Sequence, residues 1–229
     1  MLVYVMSISD SRLLREVPVV FARMGMMLSK YWDSDRRRER LRLLLEIRSQ
    51  RDMLLLPSEA CQIMSAIDAV KKIPGDMAEL GVARGASAKM MTSCAPDRVL
   101  HLFDTFDGIP EPGDQDSSRF KNRQYRFTLE EVQSYLNGDN LRFYKGLFPQ
   151  TAKGLSGTRF AFVHLDADLY ESTKAGREWF YPRLNRGGIL ICHDYDTSAG
   201  VNRAFEECFS DKPEPYVDLL GSQCMFVKM

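Results

Sequence analysis

Residues 160 to 205 constrain this chain more than any other stretch. Two apolar runs, Phe160–Leu165 and Gly188–Cys192, each stop at polar, ionisable side chains: Asp166 and Asp168 after the first, His193 and Asp194 after the second. A helix-length segment and a Gly-Gly turn separate the runs. In an open parallel sheet, ligands sit at the carboxyl ends of strands. The pattern therefore brings Asp166 and Asp194 into one crevice, where converging carboxylates suit a metal ion or a proton transfer.

The rest of the chain from Asp76 onward repeats the strand–helix alternation that implies a parallel sheet. Strands are expected at Asp76–Val82, Val99–Asp104, Leu141–Gly146, Phe160–Asp166 and Gly188–Asp194. Helices are expected at Ala86–Cys94, Leu129–Leu136, Thr173–Tyr181 and Ala199–Phe209. Tyr216–Leu220 and Met225–Lys228 flank Gly221-Ser222 and read as a closing antiparallel pair. Residues 1 to 54 form a separate N-terminal helical extension, with residues 55 to 229 as the main domain. Within the extension, Asp33–Asp52 holds seven arginines and five acidic residues, with Leu41, Leu44, Leu45 and Arg48 at helical spacing. Its acids nearly offset its arginines, so it reads as a solvated helix packed by its leucines on the domain or on a second subunit. That stripe makes a homo-oligomer an expectation. Gly108–Arg126 fits no element; it is polar, rich in turn formers and follows the second strand, which suits a lid over the crevice.

The first strand ends in ELGVARGAS, where Gly81 and Gly85 bracket a turn into a helix whose free N–H groups can hold an anionic group. Position 83 is alanine, so this is not the G-x-G-x-x-G dinucleotide fingerprint. The second strand ends at Asp104, twenty-five residues after Glu79, where a carboxylate can accept from both hydroxyls of a ribose. An acidic pocket beneath a glycine turn suits a cationic cofactor, such as the sulfonium of S-adenosylmethionine, better than a pyrophosphate.

Composition removes some alternatives. Lys plus Arg and Asp plus Glu both number 31, so there is no basic excess to mark a nucleic-acid partner. Five scattered cysteines without C-x-x-C spacing read as reduced thiols, and with them the compartment is expected to be cytoplasmic. The opening MLVYVMSISD lacks the basic start and small-residue site of a signal peptide, and no run reaches membrane-span length.

Four segments, IPGDMAELGVARGAS, LFDTFDGIPEP, LRFYKGLFPQT and LDADLYESTKAGREWFYPRLNRGGILICHDY, resemble in order the motifs of the macrocin O-methyltransferase (TylF/MycF-type) family. The resemblance covers roughly residues 55 to 229. It implies a Rossmann-like class I S-adenosylmethionine-dependent methyltransferase: an α/β, doubly wound, mostly parallel seven-stranded sheet with an antiparallel last strand. It implies metal-dependent methylation of a sugar hydroxyl. Family roles map onto Glu79, Gly81, Arg84, Gly85 and Ser87 for the methionine part of the cofactor. They map onto Asp104 for the ribose, with Thr105 and Phe106 beside it, and onto Gly146 and Phe148 near the adenine. The metal aspartates correspond to Asp166 and Asp194. The sugar methyltransferases of this family carry two adjacent aspartates before the tyrosine, whereas this chain has His193-Asp194-Tyr195. Magnesium prefers oxygen ligands, and imidazole suits softer ions. Three alternatives stay open: Mg2+ on Asp166 and Asp194 with more waters, a softer metal that includes His193, or no metal and His193 as the base.

A sugar hydroxyl is a poor nucleophile at neutral pH, and a divalent ion on its oxygen lowers its pKa. Asp166 and Asp194 are expected to hold the ion, and Asp166 or His193 to take the proton; a His193 of ordinary pKa is partly neutral at pH 7 and competent for this. Asp168 either shares the site or caps the next helix. His101 and His164 read as satisfied core histidines, Tyr170, Trp179, Phe180 and Tyr181 as packing, and Cys192 as strand filler. Two rival classes remain: a nucleotide-sugar glycosyltransferase using the D-x-D at 166 to 168, and a catalytically silent cofactor-binding module.

Overall fold

The computed structural model describes residues 34 to 229. The opening segment weighed as a leader, and the first part of the expected N-terminal extension, lie outside these residues. The chain separates into two compact units, Met1–Leu43 and Leu44–Met229. Residues 44 to 54, expected with the extension, thus belong to the sheet-bearing unit. Helix α1 (Asp35–Gln50) spans the division. Its buried side chains are Leu44 and Ile47, while Leu45 is exposed. The apolar stripe therefore lies one position round from the expected Leu41, Leu44 and Leu45 face.

The second unit begins with α2 (Pro57–Ala69) and continues as β1 (Asp76–Leu80), α3 (Ala86–Cys94), β2 (Leu100–Asp104), α4 (Leu129–Tyr135) and β3 (Leu141–Lys145). After a 3-10 turn come β4 (Phe160–Leu165), α5 (Tyr170–Phe180), β5 (Leu184–Cys192), α6 (Ala199–Phe209), β6 (Tyr216–Asp218) and β7 (Cys224–Val227). The strands form one sheet in the order β3-β2-β1-β4-β5-β7-β6. The pairs from β3 through β5 are parallel, and β7 lies antiparallel to both β5 and β6. The central strands are apolar at nearly every position because they are buried on both faces; β4 is buried throughout. Helix starts follow local chemistry. Thr128 Oγ1 accepts the Glu131 N–H (3.2 Å) while the Glu131 carboxylate accepts the Thr128 N–H (2.7 Å), a reciprocal cap on α4.

Two adjoining aromatic groups belong to one buried core cluster. Phe180 packs on Phe148 and Phe160, with ring centres 5.3 and 5.2 Å apart, and Trp179 joins them. Phe205, Phe209 and Phe226 form the second group, with Phe209 4.7 Å from each of the others. Trp179 and Phe180, two of the four aromatics expected to pack on the crossover helix, are in the first group. Beneath the second group Glu214, wholly buried, accepts from Tyr181 Oη (2.6 Å) and from Lys228 Nζ. Cys192 faces Cys224 across the β5–β7 ladder, and Cys61, Cys94, Cys192 and Cys224 are in no disulfide among the described residues. Among the described residues, no helix is long and apolar enough to cross a membrane.

The order reverses at β1, whose neighbours are β2 and β4, and the crevice opens there. Gly81 sits at the turn with φ +90°, and a Cβ there would lie 1.7 Å from the Asp166 carbonyl oxygen. Asp166 N in turn donates to Leu80 O (2.8 Å), so the ends of β1 and β4 are held together at the site. Gly81→Ala is expected to cost roughly 2–5 kcal/mol, measured by denaturant unfolding, because it combines positive-φ strain with a backbone clash. Glu214→Gln is expected to cost about 1.5–3 kcal/mol at neutral pH, since a partly buried ammonium loses its charged acceptor. Burial acts to raise the Glu214 pKa, but Lys228 and Tyr181 outweigh it and hold it down from 4.5 to about 2. The wild-type advantage is therefore complete above about pH 4.5 and fades as the pH falls towards 2, as paired melts across that range will show.

Candidate active site

A cavity of about 370 Å³ lies at the carboxyl ends of β1, β2, β4 and β5. Gly81, Asp104, Thr105, Gly146, Phe148, Asp166, His193 and Asp194 all line it. A smaller cavity of about 170 Å³ adjoins it, lined by Arg84 and Ser87 and sharing Gly81, Tyr125 and Asp166 with the first. The structure thus unites the glycine turn, the second-strand acid and the two acidic strand ends, as the spacing implied. Asp166 borders both spaces.

Three residues named from the sequence stand elsewhere. Glu79 is wholly buried on β1, with Oε1 2.9 Å from His164 Nδ1, and it lines neither cavity. Burial pushes its carboxyl up despite the histidine. Phe106 is buried and turned towards Phe143, 6.4 Å away. Gly85 is the left-handed residue before α3, and a Cβ there would press on Val132 and Leu136. These residues build the floor and turn of the site and do not face its space. Arg84 is held by Asp52 (2.6 Å) and lies over the Phe127 ring.

Asp104 is more heavily used than expected. Its Oδ2 accepts from Val82 N (2.7 Å) and Ala83 N (3.1 Å), and its Oδ1 accepts from Phe106 N (2.8 Å). A carboxylate has about four acceptor positions; three backbone bonds and a longer contact from Thr105 Oγ1 (3.4 Å) occupy most of them. Little of its capacity is left for the pair of ribose hydroxyls expected from the sequence. The carboxylate's main task here is to tie the β1 turn to the β2 turn.

The loop from Gly108 to Arg126 walls the larger cavity through Ile109, Arg119, Phe120 and Tyr125. It closes on itself by Ile109 N to Gln124 O and Arg123 N to Ile109 O, both 2.9 Å. Asp116 anchors it: Oδ1 accepts the Tyr170 N–H at the start of α5 (2.7 Å) and Oδ2 accepts Gly113 N (2.8 Å). The N-terminal bond of α5 is thus supplied by Asp116, and not by Asp168. Asp168 instead lines the cavity with φ +60°, and burial together with Asp166 and Asp194 pushes its carboxyl well up. His101 is satisfied at both nitrogens, by Tyr144 and Asp76 (each 2.9 Å), whereas His164 Nε2 has no partner.

His193 is the centre of the acidic end. Its Nδ1 lies 3.0 Å from Asp166 Oδ1 and 3.7 Å from Asp194 Oδ1, and its Nε2 lies 3.4 Å from Glu59 Oε2. Burial opposes charge on the imidazole, but Asp166, Glu59 and Asp194 outweigh it and push its pKa up to about 12. The expectation of an ordinary His193 pKa, with a partly neutral ring free to act as base at pH 7, fails for this reason. Glu59 is the residue that reading the motifs missed. Its place three residues after Leu56, with Pro57 between, marks a helix start, but nothing local says that it meets a histidine so far along the chain.

The ligand atoms of Asp166, His193 and Asp194 lie within 4.8 Å of one another. Adjacent ligands at about 2.1 Å from an octahedral ion are ~3.0 Å apart, which is the separation of Asp166 Oδ1 and His193 Nδ1. Two carboxylates and one imidazole therefore fit a divalent ion, on condition that Nδ1 yields its proton.

A family model described as macrocin-O-methyltransferase (TylF) matches residues 59–214. A tetracenomycin-C 4'-O-methyltransferase of Streptomyces olivaceus, named for a rhamnosyl-bearing compound, is 35% identical over 56% of this chain and 55% of its own length. Mycinamicin III 3''-O-methyltransferase of Micromonospora griseorubida is 30% identical over 54% of this chain and 56% of its own. The chain thus spans about half the length of the curated relatives it matches. Among solved structures, the O-methyltransferase NovP superposes with a TM-score of 0.68 at 24% identity, covering 77% of this chain and 82% of that one. The calicheamicin methyltransferase CalS11 superposes with a TM-score of 0.60 at 20% identity, covering 85% and 93%. These last two show the shared Rossmann-like methyltransferase fold. With the family model covering most of the sheet-bearing unit, the chain belongs to the macrocin-O-methyltransferase (TylF) family.

Proposed function

We propose that this protein transfers a methyl group from S-adenosylmethionine to a hydroxyl of a sugar-containing small molecule, with a divalent cation at Asp166, His193 and Asp194. The observation that carries the reading is that one cavity joins the glycine turn and Asp104 to the acidic strand ends. The relatives' names, which specify O-methyl transfer and in one case a rhamnosyl group, support the acceptor class.

The parts divide along the crevice. Arg84, Ser87 and the turn at Gly81 border the smaller space, which suits the amino-acid end of the cofactor. Asp104, Gly146 and Phe148 border the larger one, where Asp104 stands at the second strand's end to meet a ribose hydroxyl in place of its long Thr105 contact and Phe148 offers an aromatic surface to a base. Acidic side chains around the joint favour the positively charged sulfonium. A bound divalent ion supplies the electrostatic pull that lowers the pKa of an acceptor hydroxyl. Asp166 borders both spaces and so faces the joint between donor and acceptor; it receives the hydroxyl proton as the oxygen attacks the methyl carbon. The products are the methyl ether and S-adenosylhomocysteine, with the proton released. Tyr125, Phe120 and Arg119 on the loop wall face the acceptor. Holding oxygen and methyl in line supplies much of the remaining acceleration.

Calorimetry with S-adenosylmethionine and with nucleotide-sugars is expected to give tight binding of the former alone; binding of the nucleotide-sugar alone would favour a glycosyltransferase. Labelled methyl transfer into a panel of sugar glycosides separates the enzyme from a silent binding module. Asp166→Asn is expected to lower kcat by about 10²–10⁴-fold, a loss well beyond its accompanying weakening of cofactor binding, as turnover and calorimetry on the same variant will show.

A further inference from the structure

Glu59 lies outside every sequence motif assigned to the site, yet it is among the most tightly held carboxylates in the chain. It is 1% exposed, on the first turn of α2. Its Oε1 accepts from Ser222 N and Ser222 Oγ, both at 2.8 Å, and its Oε2 accepts from Leu56 N at 2.7 Å. The neighbouring Gly221 makes room for it, since a Cβ there would lie 2.6 Å from Glu59 Oε1. A carboxylate fixed by three backbone and hydroxyl donors cannot turn away, and its Oε2 stands 3.4 Å from His193 Nε2. The imidazole is thereby pinned from behind. With Nε2–H facing Glu59, Nδ1 is directed at the space between Asp166 Oδ1 and Asp194 Oδ1, 3.0 and 3.7 Å away, and presents its lone pair there when a cation takes the place of its proton. A carboxylate that accepts the far N–H of an imidazole fixes its tautomer, orients the ring and raises its basicity as a ligand.

We propose that Glu59 is a positioning residue that presents His193 Nδ1 as a nitrogen donor beside Asp166 and Asp194, so that the site takes a nitrogen-tolerant first-row cation such as Mn2+ or Co2+ in preference to Mg2+. Mg2+ favours oxygen donors and sheds water reluctantly, so a rigid imidazole in its place is a poor exchange. Mn2+ and Co2+ accept imidazole readily, and Co2+ the more tightly. The inference rests on the methyl-transfer reading only for the purpose the ion serves; the donor set stands on its own geometry.

The test titrates the full chain, cleared of metal with chelator, with MnCl2, CoCl2 and MgCl2 by calorimetry, with S-adenosylmethionine affinity measured in parallel. Mn2+ and Co2+ are expected to bind at least about tenfold more tightly than Mg2+. Electron spin-echo spectra of the Mn2+-loaded protein are expected to show nitrogen modulation from the imidazole. His193→Asp should abolish that modulation and shrink the Mn2+ over Mg2+ preference. Glu59→Gln should weaken Mn2+ and Co2+ binding by about 10–100-fold with cofactor affinity unchanged. Ser222→Ala removes one bond to Glu59 but spares its contact with His193, and should leave metal affinity close to wild type. If Glu59→Gln does not fold, nitrogen NMR of His193 in the Zn2+-loaded wild type decides the same point: a metal-bound Nδ1 and a protonated Nε2 are expected. Mg2+ binding as tight as Mn2+ without nitrogen modulation, or a protonated Nδ1 in the loaded protein, overturns the proposal. Metal results as expected with no cofactor binding would uphold the metal site and count against methyl transfer.

Discussion

The site is organised around a line of charge that runs from Glu59 through His193 to Asp166. One imidazole bridges two carboxylates that belong to α2 and to the end of β4, while the histidine itself ends β5. Ser222, between β6 and β7, ties into the same line through Glu59. Four separate parts of the chain therefore meet in one set of polar contacts. Little of it is open to water, with Glu59 wholly enclosed and the His193 side chain 12% exposed. Groups placed like this must be paired, because removing one leaves a buried charge without compensation at a cost of about 3–5 kcal/mol. The same dependence fixes the histidine ring at the acidic end of the crevice.

Around that line the backbone is strained in the turns that follow the strand ends. Ala83, Phe106, Asp168 and Asp194 all adopt positive φ without being glycine. Each follows a strand end, and each such residue costs on the order of 1–3 kcal/mol. The surroundings hold them there. Asp104 takes the N–H groups of Val82, Ala83 and Phe106, and Asp194 Oδ1 accepts from Thr197 Oγ1 at 2.7 Å. Behind them, the parallel ladder and the cluster of Phe148, Phe160, Trp179 and Phe180 provide a rigid base.

The strands and helices from Asp76 onward were readable because each is a run of apolar residues with one period, bounded by glycine, proline or polar residues. Ala86–Cys94 and Ala199–Phe209 agree with the reading residue for residue. Asp166, His193 and Asp194 were readable as neighbours because parallel strands end on the same edge of a sheet. Less was visible of what each residue does. Glu79 looks like a cofactor ligand from its place in the motif, but its side chain projects into the core against His164. Asp168 reads equally as a site residue or a helix cap; it lines the cavity, and the bond to the helix start comes from Asp116 in a loop with no pattern of its own. Both outcomes depend on side-chain direction and on contacts between distant segments, which leave no local periodicity.

Period and punctuation in the chain were enough to specify the alternating elements, the edge on which the acidic residues gather and, through the ordered motifs, the family. They suffice because strand and helix repeats, and glycine at tight turns, are local consequences of backbone geometry. The protonation of His193, the use of Asp104 as a brace between turns and the partnership of Glu59 with the site were decided only in the folded molecule. Each arises from distance and desolvation between groups far apart in sequence, so the arrangement in space sets the sign and size of the interaction.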